Sequence, residues 1–393
     1  MNSQLKIYLN DTVFDAALER MRFLFAEFPN VIVSFSGGKD STIVLNLALR
    51  VAEELGRLPL KVCFLDQEAE WGMVIDYVRS VMNDPRVEPM WFQMPLRLFN
   101  ATSTEEPWLH CWKEGGDWIR EKEPGSITIN KYGCDRFKEL FTHIMRVEFA
   151  GEKACYIAGV RCEESPTRMI GLTGNLTYQN VTWGKYLDKK VGHYTFYPIY
   201  DWSYTDVWKA IYDNNWPYCR IYDYLYQYGV PARDMRVSNV HHETAIKSLY
   251  VLQEIEPDTW NQLVARLRGV NTAGQIKAEM FEVNELPYMF ADWTEYRDYL
   301  LENLIQDDDS KAAFRKHFEG IDKFYIHETI KEAAAKICIK AILKNDWHST
   351  TIENFLRRPQ VYCYRKWRKG EDVYDRTGFI PNDDTDRIYI KSV

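Results

Sequence analysis

No close cysteine pair occurs in this sequence, whose 8 cysteines are spread over 393 residues. Without a Cys-x-x-Cys spacing, a zinc ribbon, a thioredoxin-like dithiol and the common iron–sulfur clusters have no support. The sequence also lacks an apolar run near the ~20 residues that a membrane helix needs, and residues 1–10 lack the cationic and apolar segments of a secretory signal. We therefore expect a cytoplasmic protein with reduced thiols, no iron–sulfur cluster and no membrane partner.

A strong charge of either sign is also missing. Lys and Arg total 49 against 57 Asp and Glu, so the formal net charge is −8, which argues against a surface built for nonspecific nucleic-acid binding. Hydrophobic residues make up 46%, which is enough to bury a core and to exclude wholesale disorder. The aromatic content of 15% favours aromatic cores, with a base-stacking or partner-binding surface as the alternative.

Short apolar runs separated by helical periodicity indicate the fold. The runs cover residues 31–35, 60–65, 89–94, 154–160 and 194–199. Apolar residues at helical spacing lie between several of these runs. This order predicts an α/β fold with a doubly wound, mostly parallel, Rossmann-like sheet.

The character of the sequence changes near residue 200. Residues 1–200 form the predicted α/β domain, with an insertion or long active-site loop near 100–133, where periodicity is weak. Residues 201–393 form a predicted, mainly helical C-terminal domain. Its predicted helices cover residues 206–212, 242–254, 259–267, 293–304, 311–318 and 329–343.

A glycine turn between the first predicted strand and the next helix carries the clearest chemical signal. It runs Ser34-Phe35-Ser36-Gly37-Gly38-Lys39-Asp40-Ser41. Paired glycines let the backbone approach a ligand closely, and the helix offers free N–H groups and the positive end of its dipole to an anion. Lys39 adds a cation, whereas Asp40 is unfavourable there unless it caps the helix or holds a cation such as Mg²⁺. The alternative is a plain turn with an N-cap serine.

Polar residues also follow two other predicted strands. Asp66 and Gln67 follow the second run, and Gly159, Arg161 and Arg168 follow the fourth. An aspartate there could hydrogen-bond a ribose or ligate a metal, and two guanidiniums could grip phosphate or sulfate oxygens. The alternatives are an ordinary turn residue and arginines that pair with the neighbouring glutamates.

Together these segments resemble the PP-loop proteins of the adenine nucleotide alpha-hydrolase superfamily, which includes the N-type ATP pyrophosphatases and the phosphoadenosine phosphosulfate (PAPS) reductases. The PAPS reductase branch is favoured by the segments at 64–68, 159–168 and 197–208. In the last of these, Asp206 fits the first turn of a helix better than a catalytic role.

The resemblance implies an adenylyl nucleotide, either ATP or PAPS/APS, as substrate or ligand. It implies a catalytic role for Lys39, Asp40 and Asp66, with Asp40 as the candidate Mg²⁺ ligand. The implied nucleotide-binding residues are Ser34, Phe35, Ser36, Gly37, Gly38, Lys39, Asp40, Ser41, Asp66, Gln67, Gly159, Arg161 and Arg168.

The sequence departs from the PAPS reductases in its C-terminal half. It lacks the Glu-Cys-Gly-Leu-His segment that carries their nucleophilic cysteine, so conventional PAPS reduction is not expected. The extension resembles a domain of unknown function in a subgroup that includes the immunoglobulin-binding regulator A proteins, which implies a ParB-like nuclease-domain partner.

A basic stretch, Arg357–Lys369, is a candidate nucleic-acid surface or a solvated edge. His241, His242 and Glu243 could suggest a metal site, but a helix cap or a surface role fits them better, because adjacent histidines on a helix point about 100° apart.

Two functions remain open. The first is an enzyme, either a PP-loop ATP pyrophosphatase that releases pyrophosphate or a PAPS-dependent sulfurtransferase that uses an external thiol. The second is a nucleotide-sensing regulatory module that binds without turnover and acts with a ParB-like partner. A plain DNA-binding protein is the weakest alternative, and a homo-oligomer is a further candidate assembly.

Overall fold

The structure is a computed structural model. It describes residues 9–100, 102–103, 106, 108–232, 235–237, 240, 249–270, 285–324, 328–344, 346, 349–357 and 361. Among the described helices, none combines the length and apolar character needed to cross a bilayer.

Two compact units divide the chain. The first comprises Met1–Leu98, His110–Val240 and Val251–Trp260, and the second comprises Phe99–Leu109, His241–Tyr250 and Asn261–Val393. Compactness does not show which segment folds by itself, so the domain limits predicted at 1–200 and 201–393 stay a prediction.

A six-stranded sheet forms the centre of the first unit. Its strands, in chain order, are β1 (Asn30–Ser34), β2 (Leu60–Leu65), β3 (Val87–Phe92), β6 (Ala154–Ile157), β7 (Gly184–Asp188) and β8 (His193–Phe196). Their spatial order is β3-β2-β1-β6-β8-β7, and every pairing is parallel except that of β7 with β8. The predicted mostly parallel, Rossmann-like α/β sheet is confirmed. The antiparallel edge strand β7 was not predicted.

The described helices of the first unit are, in chain order, α1 (Val13–Glu27), α2 (Lys39–Glu54), α3 (Gly72–Met82), α4 (Phe137–Glu148), α5 (Pro166–Thr173), α6 (Tyr204–Asp213) and α7 (Ile221–Gln227). Two further helices, α8 (Leu249–Ile255) and α9 (Pro257–Arg266), each include residues of both units. Two short strands, β4 (Leu96–Phe99) and β5 (Trp108–Cys111), pair with each other inside or beside the segment predicted as an insertion.

Local sequence explains where several helices begin. Ser203 precedes α6 and accepts a hydrogen bond from the Asp206 amide at 3.2 Å, while the Asp206 carboxylate accepts from the Ser203 amide at 2.7 Å. This capping box confirms the helix-terminal role predicted for Asp206. Helix α3 has no side-chain cap of its own, and the Glu256 carboxylate instead accepts from the amides of Gly72 and Met73 at 2.7 and 2.9 Å.

The strand order places a topological switch point between β1 and β6. From β1 the chain moves outward to β2 and β3, and it then returns to build β6 and β8 on the other side of β1. Ligands of open α/β sheets bind beyond the carboxyl ends of the strands at such a point. The loop after β1 and the segment after β6 both begin at this point of the sheet edge.

Four helices of the second unit pack around an apolar core of their own. They are α10 (Trp293–Leu304), α11 (Asp308–Phe324), α12 (Glu328–Leu343) and α13 (Thr350–Leu356). Leu301, Phe314, Cys338 and Ile352 are all at most 3% exposed in this core. The predicted helices at 293–304, 311–318 and 329–343 are confirmed. Residues His241 and His242, and the basic stretch apart from Arg357 and Val361, lie outside the described residues.

Candidate functional site

The glycine loop joins β1 directly to the N-terminus of α2. Gly37 has φ +73°, and a Cβ there would lie 2.8 Å from Val74 Cγ1, so only glycine fits. Gly38 is the N-cap of α2 and has no side chain to cover the first amides. The Ser41 hydroxyl donates to the Gly38 carbonyl at 2.8 Å and accepts from the Ser36 amide at 3.2 Å. The loop is therefore braced by its own serines around a helix terminus.

Lys39 is the buried cation of this loop, with 5% of its surface exposed. Its Nζ donates to the Met235 carbonyl at 3.2 Å and lies 3.4 Å from Asp40 Oδ2. The ammonium also lies 5.5 Å from the centre of the Tyr222 ring, close enough for a cation–π contact. The Tyr222 hydroxyl accepts from the Lys39 amide at 2.9 Å.

Asp40 connects the loop to the segment that follows β6. Its Oδ1 accepts from Arg161 Nε at 2.5 Å, and Arg161 Nη1 donates to Glu163 at 2.8 Å. Arg161 is 4% exposed. Burial opposes its charged form, but the Asp40 carboxylate and the neighbouring glutamates outweigh that penalty and raise the pKa of Arg161. The result is a chain of alternating charges that runs from the buried Lys39 through the half-buried Asp40 and the buried Arg161 to the exposed Glu163.

Gly159 permits this approach of the two segments. A Cβ at Gly159 would lie 2.7 Å from both the carbonyl carbon and oxygen of Asp40, and 2.9 Å from the Ser41 amide nitrogen. These are backbone atoms at the start of α2, so they cannot rotate away. The glycine is therefore required by packing against the loop.

A cleft of about 710 Å³ opens above these groups, wholly within the first unit. Its size is typical of small-molecule sites. The predicted residues that line it are Ser34, Phe35, Ser36, Gly38, Lys39, Asp40, Ser41, Gln67, Gly159, Arg161 and Arg168. The structure thus brings nearly the whole predicted set to one cavity.

Arg168 reaches the cleft from α5, and Arg236 reaches it from a segment far along the chain. The Arg168 guanidinium pairs with the Glu164 carboxylate four residues before it. Such pairing with a neighbouring glutamate is the alternative to phosphate or sulfate binding that the sequence left open. Arg236 is exposed at the cleft wall. With Lys39 and Arg161, the cleft therefore has four cationic side chains on its walls.

Two predicted site residues are not on the cleft wall. Gly37 supports the loop from behind. Asp66 is 0% exposed and accepts hydrogen bonds from Trp91 Nε1 at 2.8 Å and Gln93 Nε2 at 3.0 Å, with Arg120 as its ion-pair partner. The Asp66 carboxylate is thus enclosed by protein donors, and neither a ribose nor a metal reaches it in this arrangement.

Glu70 is a cleft carboxyl that the sequence did not reveal. It lines the cavity and is 6% exposed. Burial, reinforced by the nearby Asp66 carboxylate and only partly offset by Arg120, raises the pKa of Glu70 to about 8. The cleft therefore contains one carboxyl group that is mostly protonated at neutral pH, a property often found at functional sites.

None of the described cysteines lines the cleft. Cys63 on β2 is 2% exposed, and burial raises the pKa of its thiol to about 12. Such a thiol is protonated and inert at neutral pH. In the described part of the chain, no thiolate is placed to attack a ligand in the cleft.

Asp40 was the candidate Mg²⁺ ligand. Each of its oxygens faces a cation, Arg161 Nε for Oδ1 and Lys39 Nζ for Oδ2. A metal ion at Asp40 requires one of these cations to move away, so the present arrangement does not fit a resident Mg²⁺ at this carboxylate.

Thirteen further residues line the cleft that were not predicted as site residues, and most of them are apolar or aromatic or lie far along the chain. They are Phe64, Leu65, Glu70, Phe137, Phe141, Tyr156, Val160, Glu163, Glu164, Tyr204, Tyr222, Arg236 and Val237. Aromatic side chains at helical spacing indicate a core as readily as a binding wall, so Phe137 and Phe141 gave no signal. Phe64, Leu65, Val160, Glu163, Glu164 and Tyr204 lie in the segments at 64–68, 159–168 and 197–208 that carry the family resemblance, but they were not assigned to the site.

The fold is a Rossmann-like α/β sheet with a glycine loop and a cleft at its switch point, and comparison with known families identifies the class of protein. The phosphoadenosine phosphosulfate reductase domain family matches residues 30–228, and a domain of unknown function, DUF3440, matches residues 229–358. The chain belongs to the phosphoadenosine phosphosulfate reductase domain family and carries a C-terminal DUF3440 domain.

Two curated relatives illustrate this membership. The chain is 31% identical over 345 residues to the uncharacterized protein YbdN of Escherichia coli K12, covering 82% of this chain and 81% of that protein. It is 24% identical over 217 residues to an adenosine 5′-phosphosulfate reductase of Lysinibacillus sphaericus, covering 55% of this chain and 78% of that protein.

Solved structures that match part of this chain include proteins of Candida glabrata and Candida auris. FMN adenylyltransferase of Candida glabrata matches with a TM-score of 0.34 and 16% identity over 56% of this chain and 65% of that chain, which is less than two thirds of its length. PAPS reductase of Candida auris matches with a TM-score of 0.30 and 16% identity over 56% of this chain and 93% of that chain.

Proposed function

We propose that this protein binds an adenylyl nucleotide, ATP or PAPS/APS, in the cleft and transfers a nucleotidyl or sulfur group from it. One observation carries the proposal: a helix N-terminus whose N-cap glycine provides no side-chain cap, and four cationic side chains, converge on one cavity at the switch point of the sheet. A helix terminus with glycines and cations is a natural site for phosphate or sulfate.

The Ser36–Ser41 loop would hold the charged tail of the nucleotide. Its amides and Lys39 meet the phosphate or sulfate oxygens, while Arg161 and Arg168 approach from the segment after β6. Before a ligand arrives, the Asp40 carboxylate occupies the position between Lys39 and Arg161. We infer that the ligand anion replaces Asp40 as the partner of one of these cations.

With ATP, an acceptor nucleophile attacks the α-phosphorus and the bond to the bridging oxygen breaks. The acceptor gains AMP, and pyrophosphate leaves with the electron pair of that bond. Lys39 and the loop amides stabilise the charge that accumulates on the leaving pyrophosphate. Mg²⁺ would enter with the phosphates and share this neutralisation, since Asp40 is engaged with protein cations.

With PAPS or APS, an external thiol attacks the sulfur atom of the sulfonate. The sulfur–oxygen bond to the nucleotide breaks, and the nucleotide leaves as a phosphate anion held by the same cations. An external thiol is invoked because none of the cysteines that the structure describes lines the cleft. This supports group transfer over conventional PAPS reduction by the chain alone.

A second candidate function is nucleotide sensing together with a ParB-like partner protein. Two observations favour it. None of the described cysteines lines the cleft, and Asp40 and Arg161 form an ion pair with each other, so neither needs a ligand as a partner. Binding would then break this ion pair without chemistry. A transferase and a sensor differ only in turnover, so one experiment separates them.

The test is calorimetry of the full chain with ATP, PAPS, APS and adenosine 3′,5′-bisphosphate, followed by analysis of the products. We expect the Ser36→Ala, Lys39→Ala double variant to lose most of its affinity, about 3 kcal/mol or roughly 100-fold, because it removes a charged and a neutral contact. Lys209→Ala, at an exposed lysine of α6, is the matched control and should bind normally. Undiminished affinity of the double variant for all four nucleotides would refute the proposal.

Product analysis then separates the two candidates. Pyrophosphate release from ATP identifies the pyrophosphatase chemistry, and release of a desulfated nucleotide from PAPS or APS with an added thiol identifies sulfur transfer. Tight binding without either product, alone and with a ParB-like protein added, identifies a sensor.

A further inference from the structure

Three side chains with metal-ligating atoms converge beside the start of α4. A carboxylate oxygen of Glu139, a ring nitrogen of His143 and the Cys134 sulfur all lie within 4.8 Å of one another. This cluster is outside the nucleotide cleft, because none of its three members lines that cavity. It has no role in the function proposed above.

The local sequence builds this cluster from a tight turn and a helix face. Glu139 and His143 are four residues apart on α4, so they lie on the same side of the helix. Cys134 precedes the helix and follows Gly133, whose φ of +67° turns the chain. The Asn130 side chain donates to the Cys134 carbonyl at 2.8 Å and fixes the turn.

The imidazole of His143 is held by the protein at one nitrogen. Its Nδ1 lies 3.1 Å from the carbonyl oxygen of Tyr132. A proton on Nδ1 donates to that carbonyl and leaves the lone pair on Nε2 for another partner. Metal-bound histidines almost always have this arrangement, in which a backbone carbonyl or carboxylate fixes the tautomer and the ring. Tyr132 is 3% exposed, so this carbonyl belongs to a buried residue.

We propose that Cys134, Glu139 and His143 bind a Zn²⁺ ion, with water or a small ligand at the fourth position. A thiolate with an imidazole and one carboxylate favours zinc over Mg²⁺ or Ca²⁺, which prefer oxygen ligands alone. In a tetrahedral zinc site, sulfur and nitrogen ligands lie roughly 3.5 Å apart. The distances between the three ligand atoms, now at most 4.8 Å, need to shorten by about 1 Å. Rotation of the side chains can supply this change.

Competing contacts at the cluster are weak. The Cys134 thiol donates to the Arg136 carbonyl at 3.6 Å, and Glu139 lies 3.5 Å from the Arg136 guanidinium. Both members of that ion pair are more than half exposed, and such pairs contribute little. Zinc therefore displaces interactions that are worth much less than its own ligand bonds.

The bound ion would fasten the turn to α4 without touching the nucleotide. Phe137 and Phe141 line the cleft from the same helix. They are two positions, or about 200°, away from Glu139 and His143. The helix thus presents its aromatic face to the cleft and its ligating face to the metal, so zinc stabilises one wall of the cleft from behind.

The test uses the full chain, stripped with a chelator and titrated with ZnSO₄ against a chromophoric competitor. We expect one zinc per chain. We expect Cys134→Ser and His143→Gln each to weaken binding by roughly 100-fold or more, beyond the 10–100-fold that an outer-shell partner contributes. Glu139→Gln, which keeps shape and removes charge, should weaken it less. The half-exposed Cys162→Ser and His317→Gln are matched controls and should bind as the wild type does.

Cobalt gives an independent spectroscopic readout. With Co²⁺ in place of zinc, the wild type should show thiolate-to-metal charge-transfer absorption that Cys134→Ser lacks. Circular dichroism establishes that each variant is folded, which is expected because all three side chains are partly solvent-exposed. Absence of stoichiometric zinc in the wild type, or unchanged affinity in the folded Cys134→Ser and His143→Gln variants, would overturn the proposal.

Discussion

Arg161 and Asp40 lie 121 positions apart in the sequence, yet Arg161 Nε donates to Asp40 Oδ1 at 2.5 Å at the base of the cleft. The pair joins the start of α2 to the segment after β6. Asp40 also faces Lys39, so a single carboxylate neutralises two of the four cations on the cleft walls. An incoming polyphosphate must therefore compete with an anion that the protein supplies itself.

Removing that internal anion should strengthen nucleotide binding when no metal is present. In Asp40→Asn, Lys39 and Arg161 lose their carboxylate partner and become available to phosphate. We expect the dissociation constant for ATP in EDTA, measured by calorimetry, to fall by roughly fivefold, or about 1 kcal/mol. Asp213→Asn, at an exposed acid paired with a lysine on α6, should have no effect. Equal or weaker ATP binding by Asp40→Asn in EDTA would contradict the competition between Asp40 and phosphate.

Much of the fold was predictable because its signals are local. The apolar run at 60–65 coincides with β2, and helical periodicity at 293–304 coincides with α10. A buried parallel strand is apolar along its whole length, which makes its limits clear in the sequence. The edge strand β7 was missed because Gly184–Asp188 alternates little and carries polar residues. Its pairing with β8 is a tertiary contact that the segment alone does not encode.

The candidate site was predictable only where its residues follow strands. Ser36–Ser41, Gly159 and Arg161 come directly after β1 and β6, so their convergence follows from a parallel sheet. Tyr222 could not be found in this way, because its hydroxyl meets the Lys39 amide from a helix 183 positions away. Asp66 also follows a strand and was assigned to the same site. The side chains that hydrogen-bond to the Asp66 carboxylate lie on β3 and later in the chain, so the sequence around Asp66 does not reveal them.

Gly159→Ala should disturb the glycine loop through the backbone. The added methyl would lie 2.7 Å from the Asp40 carbonyl atoms, and neither segment can yield without moving the start of α2. We expect a loss of about 1–3 kcal/mol in the free energy of unfolding, measured by urea denaturation, together with weaker ATP binding.

Gly171→Ala is the matched control for this substitution. A Cβ at Gly171 meets nothing within 4 Å, and the residue lies inside α5. Alanine there should raise stability by about 0.5–1 kcal/mol. If both alanine variants have the same stability, the close approach at Gly159 does not constrain the loop.

Asp66→Asn should reduce stability rather than act selectively on the nucleotide. The carboxylate accepts from Trp91 and Gln93 and pairs with Arg120 at 0% exposure. Breaking a buried pair of this kind typically costs about 3–5 kcal/mol. We expect a loss of that order in urea denaturation, with near-normal ATP affinity for the molecules that remain folded.

The control for Asp66 is Asp76→Asn on α3. Asp76 is also paired with an arginine, but its side chain is 73% exposed, so we expect a change below about 1 kcal/mol. A stable Asp66→Asn variant with abolished nucleotide binding would instead assign Asp66 to the site.

Glu70 should make the stability of the protein fall as the pH rises. Burial and the Asp66 carboxylate raise its pKa to about 8 from an ordinary value of 4.5, so between these two pH values the folded state keeps a proton that the unfolded state has lost. Raising the pH then favours the unfolded state.

Glu70→Gln removes this dependence, because a glutamine is neutral at every pH. We expect the variant to gain stability relative to the wild type between pH 5 and pH 8, by on the order of a few kcal/mol, in urea denaturation at each pH. The control is Glu88→Gln, at a carboxylate that is 47% exposed, and it should show no such trend. If the difference in stability between Glu70→Gln and the wild type is instead the same at every pH in this range, Glu70 is ionised in the folded protein and the prediction is wrong.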